Sequence, residues 1–224
     1  MTPKTEKMIS KEELERAFDA RFPKEIKEKL KAAQVAIAGL GGLGSNIAMM
    51  LARSGVGHLL LVDFDRVDVT NINRQAYMIR HIGKEKTEAL REILEEINPY
   101  MDIRTKTIRV TAENAAGLFG AYPIVCEAFD QADQKAMLIG TLLSQCPELK
   151  MVSGSGMAGY GDANAIRTEQ RMRRLYVCGD FTTDIGDGMG LMAPRVAVCA
   201  GHQANQVIRL ILGAARTPEA FLKK

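Results

Sequence analysis

The chain predicts an α/β fold of Rossmann type: a mainly parallel sheet flanked by helices, with a less regular C-terminal part. Three observations predict it. Residues 35–38 are small or β-branched and run straight into Gly39-Leu-Gly-Gly-Leu-Gly44, a strand buried on both faces followed by a tight glycine turn and a helix. Short apolar runs then alternate with helix-period stretches as far as residue 153, the pattern of successive βαβ units. The second apolar run ends on Asp63, 24 residues after Gly39, where an acid is placed to meet ribose hydroxyls.

Composition sets the outer limits. At 224 residues, with 46% hydrophobic and 25% charged residues, the chain fits one domain with small appendages and a sizeable core. A formal net charge of +3 gives no support to a broad nucleic-acid or membrane surface. There is no apolar run of spanning length and no signal-peptide pattern, so the cytoplasm is the expected location. The four cysteines, Cys126, Cys146, Cys178 and Cys199, form no C-x-x-C pair and read as reduced, mostly buried thiols.

Taken in order, residues 1–33 form a polar, lysine-rich segment with two helical stretches, 11–20 and 23–33. Leu14, Phe18, Ile26 and Leu30 are its sparse apolar contacts. Residues 34–224 then form the Rossmann-like domain. Within the first turn, Gly39, Gly41 and Gly44 hold the G-x-G-x-x-G spacing and Gly42 is an extra glycine. The helix that follows, 45–53, offers free N–H groups and partial positive charge to a phosphate. It stops at Ser54-Gly55-Val56-Gly57, before a strand at 58–62.

The polar connection 65–75 is long for a Rossmann unit, and such loops tend to carry function. Arg74 in it has the planar fork that suits phosphate oxygens. A helix to Ile97 begins near Gly83, and Lys86 in its first turn could reach phosphates; Asn98-Pro99 ends it. A strand is expected at 103–108 and a short helix to Phe119, capped by Thr111. The strand 123–128 leads to Asp130, at the end of the sheet where open α/β folds bind ligands and where a carboxylate could hold Mg²⁺. A helix at 135–146 and a strand at 150–153 complete the alternation. Beyond them, 154–161 is glycine-rich, and 162–190 is polar with Arg167, Arg171, Arg173 and Arg174 clustered. A final helix starts near Ala193-Pro194 and reaches residue 212, with Cys199 on its apolar stripe.

The glycine loop, Asp63-Phe-Asp-Arg-Val, Thr70-Asn-Ile-Asn-Arg-Gln75, Gly83-x-x-Lys86 and Asp130 occur in that order. Together they resemble the ThiF/MoeB/HesA family, relatives of ubiquitin-activating enzymes, over residues 12–213. Gly154-Ser-Gly-Met-Ala-Gly-Tyr-Gly161 and Gly188-Met-Gly-Leu-Met-Ala-Pro-Arg195 look most like its short, zinc-free ThiF branch of thiamine biosynthesis. The resemblance implies an adenylyltransferase: MgATP on the glycine loop, attacked by the C-terminal glycine carboxylate of a ThiS-like sulfur-carrier protein ending in Gly-Gly.

By the same resemblance Gly39, Gly41, Gly42, Gly44, Asp63 and Asp65 surround the nucleotide. Arg74 and Lys86 hold phosphates, Asn71 and Gln75 orient the nucleotide, and Asp130 holds Mg²⁺. The family also implies a homodimer in which an N-terminal arginine, Arg16 with Arg21 as substitute, completes the partner's site. No zinc is expected. Where relatives carry asparagine and arginine after the aspartate, this chain has Gln131 and Lys135, and Lys135 could still neutralise phosphate. The loop that carries a sulfur-relay cysteine in some relatives is short here, with Cys178 the one candidate counterpart, and activation without an enzyme-bound thioester is expected. The segments 52–57 and 69–75 also resemble TcdA-type enzymes, which activate a carboxylate on a modified tRNA adenosine; the near-neutral charge argues against nucleic acid and the 171–174 arginines argue for it.

Overall fold

A computed structural model describes residues 9–214. Seven strands form a single sheet: β1 (Gln34–Ala38), β2 (His58–Asp63), β3 (Asp102–Thr107), β4 (Ile124–Glu127), β5 (Lys150–Gly154), β6 (Arg167–Met172) and β7 (Leu175–Gly179), in the order β3-β2-β1-β4-β5-β7-β6. All neighbours pair parallel except β6, which runs antiparallel along β7. The chain therefore leaves β1 toward one edge, returns, and leaves β4 toward the other. The carboxyl ends of β1 and β4 flank a topological switch point, where a doubly wound sheet has its crevice.

Alternation along the strands divides the core between two faces. Val35 and Ile37 of β1 point to a cluster that includes Leu30, Ile47, Leu51, Leu90, Leu94, Val207 and Leu210. These come from α2 (Lys24–Ala32), α3 (Gly42–Arg53), α4 (Lys86–Ile97) and α7 (Ala193–Ile211). Ala36 and Ala38 point to the other cluster, with Phe119 of α5 (Ala112–Phe119) and Leu138 and Leu142 of α6 (Ala132–Gln145). Burying each such aliphatic side chain contributes about 1.5–3 kcal/mol over leaving it in water. Among the described residues no helix is long and apolar enough to cross a membrane.

The N-terminal helices, α1 (Lys11–Asp19) and α2, form where the sparse apolar positions predict them. The Ser10 hydroxyl caps α1 by accepting from the Glu13 N–H at 3.1 Å. Leu30 belongs to the main core, and the backbone of α2 receives Gly57 N–H at the Leu30 carbonyl, 3.1 Å.

The C-terminal part is more regular than its composition predicts. The polar stretch 162–190 contains the β6/β7 hairpin, and β7 is the sixth strand of the sheet in spatial order. Its segment Leu175–Gly179 is almost wholly buried, whereas β6 is an exposed edge strand. Charge on an edge strand blocks pairing with another chain, so the arginines that make 162–190 look irregular suit its place at the edge. The helix at 135–146 also begins earlier, at Ala132, and the helix after the glycine loop begins at Gly42.

Candidate active site

The glycine loop turns out of β1 because its backbone meets other backbone. Gly39 has a φ of +88°, and a Cβ there would lie 2.8 Å from the Ala128 carbonyl oxygen. A Cβ on Gly44 would lie 1.9 Å from the Gly39 carbonyl oxygen, so only glycine lets α3 start against β1. The amino end of α3, free of any side-chain cap, opens toward the crevice as an anion site.

Polar side chains join this loop to the 65–86 connection. Ser45 Oγ donates to the Gly41 carbonyl (2.6 Å) and accepts from Ala76 N–H (3.1 Å). Asn46 Nδ2 donates to the carbonyls of Gly42 (2.6 Å) and Arg74 (3.1 Å). Buried Tyr77 donates its hydroxyl to the Leu40 carbonyl at 2.8 Å. Burial, then the nearby Asp63 and Asp65 charges, push its pKa up and keep it a neutral donor.

Asp63 closes β2 facing the loop. Its carboxylate accepts from Leu40 N–H (2.6 Å) and Asp65 N–H (2.8 Å). Burial raises its pKa, against the opposing pull of Lys86 and those two N–H groups. Lys86, at the first turn of α4, is itself buried and donates to Asp65 Oδ2 at 2.8 Å. The two acids and the lysine form one connected set beneath the loop. Arg74 lies along Gly42, with its Cγ 3.4 Å from where a Cβ would stand. Its guanidinium bonds Asn73 Oδ1 (2.8 Å) and the Thr70 carbonyl (3.4 Å). Gln75 is buried against Gly41, its Oε1 without a partner among the described residues.

Asp130 follows β4 at the other side of the crevice. It is exposed, and among the described residues its carboxylate accepts no hydrogen bond. A lone free carboxylate beside a phosphate loop fits Mg²⁺, which is commonly held by one or two carboxylates together with substrate phosphates. Among the described residues no group of three or more His, Cys, Asp or Glu side chains gathers into a metal site.

Several sequence expectations change. The Asn71 side chain turns back to accept Asp68 N–H at 3.0 Å, so its oxygen caps the loop and does not face the crevice. Lys135 donates to buried Glu127 at 2.8 Å and to the Phe129 carbonyl at 2.9 Å, so its charge is engaged at the end of β4. Arg174 donates to the carbonyls of Leu143, Cys146 and Leu149 at the end of α6, while Arg167 and Arg171 both pair with Glu169 and lie over the Phe181 ring. Three of the four arginines are thus engaged by neighbouring groups, although Arg167, Arg171 and Arg173 stay exposed on the β6 edge. Cys178 is buried in β7 and burial pushes its thiol up to about 11, so it is protonated and shielded. Cys199 is core, its pKa pushed up to about 12 by burial.

Arg16 and Arg21 lie at the other end of the sheet. Phe18 of α1 packs 3.7 Å from the Cβ position of Gly55, and Tyr100 donates to the Ile9 carbonyl at 2.7 Å. Both contacts are at the amino ends of the strands, away from the glycine loop of the same chain.

Sequence reasoning missed two ion pairs built on a buried carboxylate. One is Glu127–Lys135. The other joins Asp180, after β7, to Arg195 in the first turn of α7, both almost wholly buried. Gly159 N–H donates to the Gly190 carbonyl (2.8 Å) and Asn73 Nδ2 to the Leu191 carbonyl (3.3 Å), so the segment before α7 touches the 70–75 loop at Leu191. Arg195 stands inside a motif used for the family resemblance; its role there was not legible without the position of Asp180.

Fold and site define a doubly wound α/β domain with a glycine-rich loop at its switch point. The chain belongs to the ThiF family, which matches residues 14–224. It is 33% identical to the molybdopterin-synthase adenylyltransferase of Haemophilus influenzae over 191 residues, covering 83% of this chain and 77% of that protein. Adenylyltransferase and sulfurtransferase MOCS3 of Culex quinquefasciatus is 31% identical over 195 residues, 83% of this chain but 43% of that protein; the chain spans less than half the length of such relatives. The fold is similar to E. coli tRNA N6-threonylcarbamoyladenosine dehydratase, TcdA, in its complex with AMP, with a TM-score of 0.81 at 24% identity over 93% of this chain and 99% of that one.

Proposed function

We propose that this protein is an adenylyltransferase that uses ATP to activate the C-terminal glycine carboxylate of a small sulfur-carrier protein. The observation that carries the reading is the switch-point crevice. There the amino end of α3, Arg74 and Lys86 supply positive charge on one side and Asp130 a free carboxylate on the other. The names of the sequence relatives support it.

In this reading Asp63 holds the ribose, Arg74 and Lys86 hold the phosphates, and Gln75 turns its unpartnered amide oxygen toward the nucleotide. A carboxylate oxygen of the carrier attacks the α-phosphorus. A carbonyl–O–P bond forms, the bond from the α-phosphorus to the bridging oxygen breaks, and pyrophosphate leaves with the electron pair. The protein's part is positioning and charge stabilisation. Asp130 would hold Mg²⁺, which supplies further positive charge to the phosphates. The ThiS-like carrier of thiamine (thiazole) biosynthesis is the finer proposal; the motifs at 154–161 and 188–195 support it, whereas the bacterial relatives are named molybdopterin-synthase adenylyltransferases. A homodimer in the cytoplasm belongs to the same reading.

The test is ATP–pyrophosphate exchange with Mg²⁺ and a ThiS-type carrier, a molybdopterin-type carrier, or either one lacking its terminal glycines. Exchange is expected only with an intact tail, and fastest with the ThiS type. Arg74→Ala and Asp130→Ala are each expected to lower it by about 10²–10³-fold, the scale of losing one charge-stabilising group. Undiminished exchange in both variants would remove the site assignment. The fold shared with TcdA supports a second reading, activation of a carboxylate on tRNA, and exchange that responds to tRNA but to no carrier would favour it.

A further inference from the structure

β4 ends on Glu127, whose side chain has no exposure to solvent. Its carboxylate accepts from Ser153 Oγ at 2.5 Å, from Phe129 N–H at 2.7 Å, and from Lys135 Nζ at 2.8 Å to Oε2 and 3.0 Å to Oε1. Lys135 Nζ also donates to the Phe129 carbonyl at 2.9 Å. A buried ion pair stabilises a fold no better than well-packed apolar residues do, because desolvation offsets the attraction. Its presence therefore calls for a reason beyond stability.

The backbone of Phe129 supplies that reason. Its N–H bonds one member of the pair and its carbonyl bonds the other, so the segment leaving β4 has both polar groups fixed. Phe129 and Ala128 also wall the glycine loop: a Cβ on Gly39 would stand 2.8 Å from the Ala128 oxygen and 3.0 Å from Phe129 Cδ1. Ser153 ties the same carboxylate to β5. The next residue is Asp130.

We infer that Glu127 and Lys135 are positioning residues that fix the strand end so that Asp130 meets Mg²⁺ carried by ATP. The inference rests on the adenylation reading and deepens it. It also gives Lys135 its role: its charge is used on Glu127 and the Phe129 carbonyl, and it acts on the metal site only through Asp130.

The experiment measures binding of a fluorescent ATP analogue with Mg²⁺ and with EDTA, for wild type, Glu127→Gln and Asp130→Asn. Wild type is expected to bind more tightly with Mg²⁺. Glu127→Gln should keep its metal-free affinity and lose about tenfold of the Mg²⁺ enhancement, the scale of removing support behind a metal ligand. Asp130→Asn should lose enhancement in the same sense. A folded Glu127→Gln with full enhancement, even at lowered Tm, overturns the inference and leaves a purely structural pair. If Glu127→Gln does not fold, Glu127→Gln/Lys135→Met removes both charges of the pair and carries the same comparison. No analogue binding or no enhancement in wild type overturns the reading of the site itself, an outcome separate from a normal wild type with unaffected variants.

Discussion

Gly42 and Gly44 are two residues apart and constrain the site differently. A Cβ on Gly44 would stand 1.9 Å from the Gly39 oxygen and 2.9 Å from the Gly39 carbon, both backbone atoms. A Cβ on Gly42 would meet Val196 Cγ1 at 3.0 Å and Arg74 Cγ at 3.4 Å, side-chain atoms that can shift. Gly44→Ala must therefore push α3 away from β1, costing about 1–3 kcal/mol as overpacking does. Nucleotide binding is expected to vanish and Tm to fall, as read by a fluorescent ATP analogue and thermal melting. Gly42→Ala should fold normally and weaken binding by displacing Arg74; equal loss of stability in both variants would contradict this account. The glycine spacing was legible in the sequence because backbone sterics dictate it within six residues. Glu127 was not: its partners Lys135 and Ser153 lie 8 and 26 residues on, and nothing local marks a strand-end glutamate as buried. Asn71 misled for the opposite reason, since its cap to Asp68 is a local bond that competes with any role in the crevice.

At the scale of elements, the Asp180–Arg195 pair joins the end of β7 to the first turn of α7, the helix whose Val196 packs on Gly42. Asp180 accepts from Thr182 N–H (2.8 Å), Thr183 N–H (2.9 Å), Thr183 Oγ1 (2.7 Å) and Arg195. Burial alone would raise its pKa, but the Thr183 and Thr182 donors and Arg195 outweigh it and hold the carboxyl well below the usual carboxylate range. Arg195→Met leaves that charge buried without its partner, so unfolding in urea at pH 7 should show a loss of about 3–5 kcal/mol. Because the folded pKa is depressed, the pair stabilises fully above the unfolded value of about 3.9 and progressively less as pH falls below it. The gap between wild type and variant should accordingly narrow below about pH 4; a gap that widens there would refute the assignment. β1, β2, β4 and β5 were legible because buried parallel strands read as continuous apolar runs, and β3, at the opposite edge and largely exposed, through its alternation alone. The β6/β7 hairpin was not, because an edge strand faces water and its charges imitate a loop. The run Leu175–Gly179 was the available signal, masked by the arginines at 171, 173 and 174.

For the whole molecule, the position of Arg16 is decisive. It stands on α1 at the amino ends of the strands, whereas the glycine loop, Asp63 and Asp130 stand at the carboxyl ends of β1, β2 and β4. Over a sheet of parallel strands these are opposite rims, and α1 is tied to its rim by Phe18 against Gly55 and by Tyr100 on Ile9. If Arg16 acts on a phosphate, it does so in a second copy. Arg16→Ala and Asp130→Ala homodimers would then each lack a needed group at every site. A mixed dimer would place both defects in one site and leave the other intact. Co-expression with two affinity tags, followed by sequential purification, isolates that mixed dimer. Its exchange activity is expected to return well above that of either parent. Recovery also requires that subunits stay paired through purification, which size-exclusion chromatography with light scattering reads directly. A purified mixed dimer as inactive as Arg16→Ala alone would show that the arginine does not act across the interface, and a chain that runs as a monomer yet exchanges pyrophosphate would show that the site needs no second copy.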